Sequence, residues 1–175
     1  NLGALVSREG GFVTLIGATV NNAGQIVTPG GTAALVAGDK VTVNLGLTGL
    51  VSVDVAAGSD AARVDNSGLV AADAGKVLLT AKSAAPMLAA AVNQGGTVRA
   101  DSIASRNGEV WIEARGGDAR LAGTTQAAGS GAGQTGGRIV ATGDTVTLAS
   151  GSLTDASGAA GGGQVLVGGG WQGKD

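Results

Sequence analysis

The sequence predicts an all-β chain wound as a right-handed parallel β-helix, a solenoid with three short strands per coil and about seven coils. Three observations carry this reading. A glycine followed by an alternating apolar strand recurs along the chain. Turns built from Gly and Asn follow these strands at similar offsets. The apolar residues are small and aliphatic: of 175 residues 34 are Gly and 43% are hydrophobic, yet only 2% are aromatic. Short runs of Val, Leu and Ile between the glycines separate this composition from low-hydrophobicity disorder.

The recurring glycines are Gly11, Gly31, Gly49, Gly75, Gly108, Gly137 and Gly163, spaced by 20, 18, 26, 33, 29 and 26 residues. Such periods are the signature of repeat architectures. The strands after them read FVTLI, TAALV, LVSVD, KVLLT, EVWIE, RIVAT and QVLVG. Their second residues are Val13, Ala33, Val51, Val77, Val110, Ile139 and Val165, and their fourth are Leu15, Leu35, Val53, Leu79, Ile112, Ala141 and Val167. Residues two apart on a strand share a face, so these two columns are expected to point inward. The first residue varies freely (Phe12, Thr32, Leu50, Lys76, Glu109, Arg138, Gln164) and is expected to face outward. There Lys76, Glu109 and Arg138 would bring alternating charges onto adjacent strands.

Two further elements lie between the anchors. A Gly-Asp step leads into a second strand at Gly38-Asp39, Gly117-Asp118 and Gly143-Asp144. A turn leads into a third at Asn22-Ala23-Gly24, Asn66-Ser67-Gly68 and Asn93-Gln94-Gly95-Gly96, with a degenerate copy at Ser150-Gly151. Asn and Gly tolerate positive φ and suit corners. Each coil advances the stack by about 4.8 Å, so seven coils make a rod of about 35 Å. No coil buries its face alone; stability comes from stacking. An antiparallel sandwich is the competing reading, since Asn-Gly-type turns also join hairpins. The repeat of a three-part unit and the scarcity of Trp and Tyr weigh against it. Residues 83–92, Ala-rich with an early Pro86, break the pattern and read as an excursion from the coil, either a turn or two of helix or an irregular loop.

These stretches resemble a known family. GGFVTLIGATVNNAGQIVTPGGTAALVAGDKVTV is similar to the region just after the secretion domain of filamentous-haemagglutinin-like exoproteins of two-partner secretion systems. NSGLVAADAGKVLLTAKSAAPMLAAAVNQGGTVRA and SLTDASGAAGGGQVLVGGGWQG resemble the coils that follow in the same proteins. The resemblance covers nearly the whole chain and rests on repeat motifs, which specify architecture rather than activity. It implies export by a dedicated outer-membrane transporter and folding outside a Gram-negative cell into a β-helical fibre used as an adhesin, a haemolysin or a toxin-delivery stick. The secretion cap of that family, with its Asn-Pro-Asn-Gly motif, has no counterpart here. Transporter recognition is therefore assigned to no residue. The opening Asn1-Leu2-Gly3-Ala4-Leu5 lacks the basic start of a signal peptide, so the chain reads as a mature or internal piece, one segment of a larger exoprotein over 1–175.

Composition narrows the function classes. With a net charge of −2 there is no electrostatic footprint for nucleic acid. No apolar run approaches the roughly 18 residues of a transmembrane helix. Zero Cys excludes disulfides and thiolate metal sites and suits export in the unfolded state. Zero His removes the imidazole base, the Ser-His nucleophile and the His metal ligand. No Gly cluster carries the Gly-Lys-Ser/Thr of a phosphate loop or the Gly-x-Asp of a calcium nonapeptide. Catalytic, cofactor-binding and metal-binding residues are therefore assigned to none.

Parallel β-helices also host polysaccharide lyases and hydrolases, so a carbohydrate-active domain is the alternative reading. Its candidates are Glu109 and Glu113 flanking Trp111 on the outer face. Four residues of strand separate those backbones by about 13 Å, against roughly 5–9.5 Å between paired glycosidase carboxyls. The leading expectation is a non-catalytic structural or adhesive rod. Its candidate contact is an outward stripe, Leu78, Trp111, Val140 and Leu166, third after successive anchors. Aligned apolar residues on an outer face mark an interface. The excursion at 83–92 could cover the Leu78 end, and a second rod the Val140–Leu166 end, giving lateral self-association. The receptor on a host or neighbouring cell is unknown.

Overall fold

The structure is a computed structural model that describes residues 1–46, 49–84, 91–104 and 106–168. Among these the regular elements are all strands, with no helix. In chain order β1 (Ala4–Val6) precedes a first full turn of β2 (Phe12–Gly17), β3 (Thr19–Asn22) and β4 (Gln25–Val27). The next turn is β5 (Thr32–Ala37), a hairpin of β6 (Lys40–Gly46) and β7 (Gly49–Ala57), then β8 (Arg63–Asn66) and β9 (Leu69–Ala71). There follow β10 (Lys76–Lys82), β11 (Val92–Gln94) and β12 (Thr97–Arg99), then β13 (Glu109–Arg115), β14 (Ala119–Leu121) and β15 (Thr124–Gln126). The last are β16 (Arg138–Thr142), β17 (Val146–Leu148), β18 (Leu153–Asp155) and β19 (Gln164–Val167).

Apart from β6 and β7, every third strand stacks on its predecessor, which builds three parallel sheets. Their orders are β2-β5-β10-β13-β16-β19, β3-β8-β11-β14-β17 and β1-β4-β9-β12-β15-β18. This arrangement is consistent with a parallel β-helix or solenoid and excludes the antiparallel sandwich. Val77 pairs with Val110 and Val110 with Ile139; Leu79 pairs with Ile112 and Ile112 with Ala141. All six are fully buried. Val165 and Val167 continue both columns but are 45% and 42% exposed, because no described strand stacks on β19.

The Gly49 repeat does not belong to the stack. Its strand is β7, which pairs antiparallel with β6, while β10 pairs directly with β5 across a 44-residue spacing from Gly31 to Gly75. Val51 and Val53 therefore leave the inner columns, and Leu50 and Ser52 the outer ones. The Gly38-Asp39 step opens this hairpin rather than a second coil strand; that place is taken by β8. A hairpin strand with one face on the body has the same two-residue period as a coil strand, so the pattern alone does not separate them. The expected excursion at 83–92 falls in the sequence at the same corner, between β10 and β11. Its end, Val92, already belongs to β11, and residues 85–90 lie outside those described.

Two columns of glycine let the turns approach. A Cβ built at Gly31, Gly75, Gly137 or Gly163 would overlap the carbonyl of the glycine beneath, at Gly11, Gly31, Gly108 or Gly137. The same holds at the second corner for Gly24, Gly68, Gly96 and Gly123, against Gly3, Gly24, Gly68 and Gly96. None of these has positive φ. Space, not conformational freedom, demands glycine here.

The corner amides also differ from expectation. Asn22 and Asn66 adopt ordinary φ and turn inward as a ladder. Asn1 Nδ2 donates to Asn22 Oδ1 at 2.8 Å, Asn22 Nδ2 to Asn66 Oδ1 at 2.8 Å, and Asn66 Nδ2 to Gln94 Oε1 at 2.7 Å. Gln94 Nε2 closes the run on the carbonyls of Gly96 and Thr124. Asn22, Asn66 and Gln94 are buried. A buried amide unsatisfied by any partner would cost about 1–3 kcal/mol, which the ladder avoids. In the next turns Leu121 and Leu148 take over the column.

A candidate interaction face on the first sheet

The outer face of the β2–β19 sheet carries the residues that sequence reasoning singled out. Register places Thr14, Ala34, Leu78, Trp111, Val140 and Leu166 in one column, as expected. Their environments differ along it. Ala34 is fully buried and Val140 is 7% exposed; Leu78 and Trp111 are half-buried; Leu166 is 47% exposed.

The cover at the Ala34–Leu78 end is the hairpin. Val55 is buried against Ala34 and Val36, with Val41, Val53 and Leu78 packed around them. Opposite these, Thr42, Asn44, Ser52 and Asp54 face water. Lys82 of β10 pins the hairpin down, its Nζ donating to the carbonyls of Val55 and Ala56 at 3.0 Å each. Apolar burial holds the hairpin flat, and the lysine satisfies carbonyls along its edge. Sequence reasoning missed this role of β6–β7. The signal was the apolar parity of Val41, Val53 and Val55, of which sequence reasoning had placed Val53 in an inner coil column.

Lys76, Glu109 and Arg138 do share the first outer column, in direct register. Yet Glu109 makes no ion pair within 4 Å with either cation. The three converge on Trp111 instead. Lys76 Nζ lies 4.9 Å from the ring centroid and the Arg138 guanidinium carbon 5.1 Å, one from each neighbouring strand. Glu109 Oε2 accepts a hydrogen bond from Trp111 Nε1 at 3.0 Å. A cation over an indole is worth about 0.5–1 kcal/mol at an exposed site. The indole thus links three layers where direct carboxylate pairing was expected.

The two carboxylates beside Trp111 do not act on a common point. Glu109 is held by the indole, and Glu113 Oε2 accepts from Arg115 at 2.9 Å. Between β7 and this face runs a cleft of ≈ 190 Å³, lined by Thr32, Ser52, Val53, Lys76, Leu78, Trp111, Glu113 and Arg115.

A second polar cluster decorates the corner after the third sheet. Arg99 clamps Asp73 through Nε at 2.9 Å and its terminal amine at 2.7 Å. That hydrogen bond raises the Arg99 pKa further above its ordinary value. Asp101 Oδ1 accepts from the Ala128 amide at 2.9 Å, one layer up. Burial pushes the Asp101 carboxyl up; the Ala128 hydrogen bond opposes this, Asp73 reinforces it, Arg99 opposes it, and Asp155 adds to it.

No family model and no curated protein matches the chain. Among the described residues no helix is long and apolar enough to cross a membrane.

Proposed function

We propose that this chain is a structural or adhesive rod from an exported bacterial surface fibre, non-catalytic, built as a right-handed β-helix of three-strand coils. One observation carries the reading. The chain's chemistry is spent on layer-to-layer repetition: aliphatic columns, an amide ladder running from Asn1 to Gln94, and glycine columns at two corners. Such columns favour length and stiffness, since each layer is stabilised by the next. The likeness of its repeats to filamentous-haemagglutinin-like exoproteins supports placement outside a Gram-negative cell, with an outer-membrane transporter as the export partner of the parent protein. Leu166, the exposed end of the outer stripe, is where lateral contacts between rods would form.

Antibodies against the chain, applied to intact cells of the organism that makes it, test this placement. Surface labelling that is lost when the cognate outer-membrane transporter is deleted is the expected result. Labelling only after cell lysis would overturn the reading. A defined oligosaccharide product released from a polysaccharide panel would establish the carbohydrate-active alternative.

A further inference from the structure

We propose that the cleft between β7 and the outer face of the first sheet accepts an extended acidic peptide, added as a third strand along the free edge of β7. Among the described residues β6 and β7 pair only with each other, so each keeps one edge with no described strand beside it. Unpaired edges are templates for strand addition unless something covers them. The edge that borders the cleft is that of β7: Ser52 and Val53 line it, and no β6 residue does. Lys82 already occupies the carbonyls of Val55 and Ala56. The open part is therefore the Ser52–Val53 end.

The floor beneath that edge decides the chemistry of the occupant. Leu78 and Trp111 form it, half-buried and spaced as registered neighbours on adjacent strands. An added strand points alternate side chains down and up, so its downward apolar residues meet this pair. Around the floor, Lys76 and Arg138 have only the Trp111 ring as partner among the described residues, while Glu109 and Glu113 are engaged with Trp111 and Arg115. Two cations without carboxylate partners flank an apolar floor, and an acidic peptide supplies what they lack. Carboxylates on the segment would be desolvated on one side only, which favours net attraction over burial cost.

The probe is the capped peptide Ac-Glu-Thr-Val-Thr-Val-Thr-Glu-NH2, whose one face carries two Val between two Glu, titrated into a Trp171→Phe chain so that Trp111 is the only indole. Saturable binding by calorimetry, with a matching change in Trp111 emission, is expected. Lys76→Gln with Arg138→Gln should weaken it about tenfold or more while circular dichroism stays unchanged. N-methylation of alternate peptide amides should abolish it, because strand addition needs those donors. No saturable binding, equal binding of the Lys-for-Glu peptide, or equal binding of the N-methylated peptide would each overturn the proposal. So would displacement of the peptide by rising chain concentration, which would assign the cleft to a second copy.

Discussion

Asn66 donates from Nδ2 to Gln94 Oε1 at 2.7 Å across adjacent turns, and both side chains are buried among aliphatic columns. Each amide in this run serves as donor to one layer and acceptor from the other. Removing a middle member orphans a group on both sides. Asn66→Leu should therefore destabilise the chain by about 2–5 kcal/mol. Gln94→Leu orphans one ladder donor, Asn66 Nδ2, and removes a donor from the carbonyls of Gly96 and Thr124, of which Gly96 also accepts from the Thr124 amide; Leu121 already stands in the same column, and the change should cost less. Denaturant unfolding of the two variants checks the order; equal losses would mean that the ladder does not act as a unit.

The glycine columns predict a contrast. Gly68→Ala drives a methyl into the backbone of Gly24, which has nowhere to move without separating two turns. Gly162 has nothing within 4 Å of a built Cβ and an ordinary φ, so Gly162→Ala should be close to neutral. Thermal unfolding that ranks these the other way would refute the close-approach argument.

Thr125 occupies the inner column between Val98 and Thr154, fully buried, with no partner for its hydroxyl. Val is nearly the same shape without the orphan group. Thr125→Val should raise stability by about 1 kcal/mol, read as a higher unfolding midpoint at unchanged slope.

Asp101 predicts a pH effect with a definite sign. Its folded pKa is raised, so the folded chain holds this proton more tightly than the unfolded chain. Its contribution to stability then falls as pH rises from the ordinary carboxylate range near about 3.9 up through the raised value. Arg99, Asp73 and Asp155 all face this carboxyl. Asp101→Asn keeps an oxygen acceptor for the Ala128 amide and removes the titration. The stability–pH curve of the variant should be flatter over that window, with no loss at neutral pH; an unchanged curve would reject the assignment.

Lateral association predicts that Leu166→Lys reduces light scattering of concentrated chain without loss of β-signal in circular dichroism. Leu166 is 47% exposed among the described residues, so the change costs little in the monomer. Unchanged scattering would remove the stripe as a bundling surface.

Sequence alone determined the strands and their facing. Alternation around Val77, Leu79, Val110, Ile112, Ile139 and Ala141 is a local property of strand geometry, and each of these residues is buried where that alternation places it. Glycine at the start of each repeat was equally legible, though its reason was not: the carbonyl beneath Gly75 comes from Gly31, far away in the chain. The amides at Asn22, Asn66 and Gln94 stand two residues before a glycine each time, a pattern present in the sequence. Yet no local rule distinguishes a corner amide from a ladder amide, since the partner lies one turn away. Only the tertiary structure decided that 40–57 is a hairpin laid on the outside of the stack. Its strands carry the same period of two as the coil strands. What separates them is which surface remained to be covered: Ala34, Val36 and Leu78 needed an apolar cover, and Val41, Val53 and Val55 supply it. The same long-range competition turned Lys76, Glu109 and Arg138 from a ladder of opposite charges into a cage around Trp111, because an indole between two layers lies within reach of all three side chains.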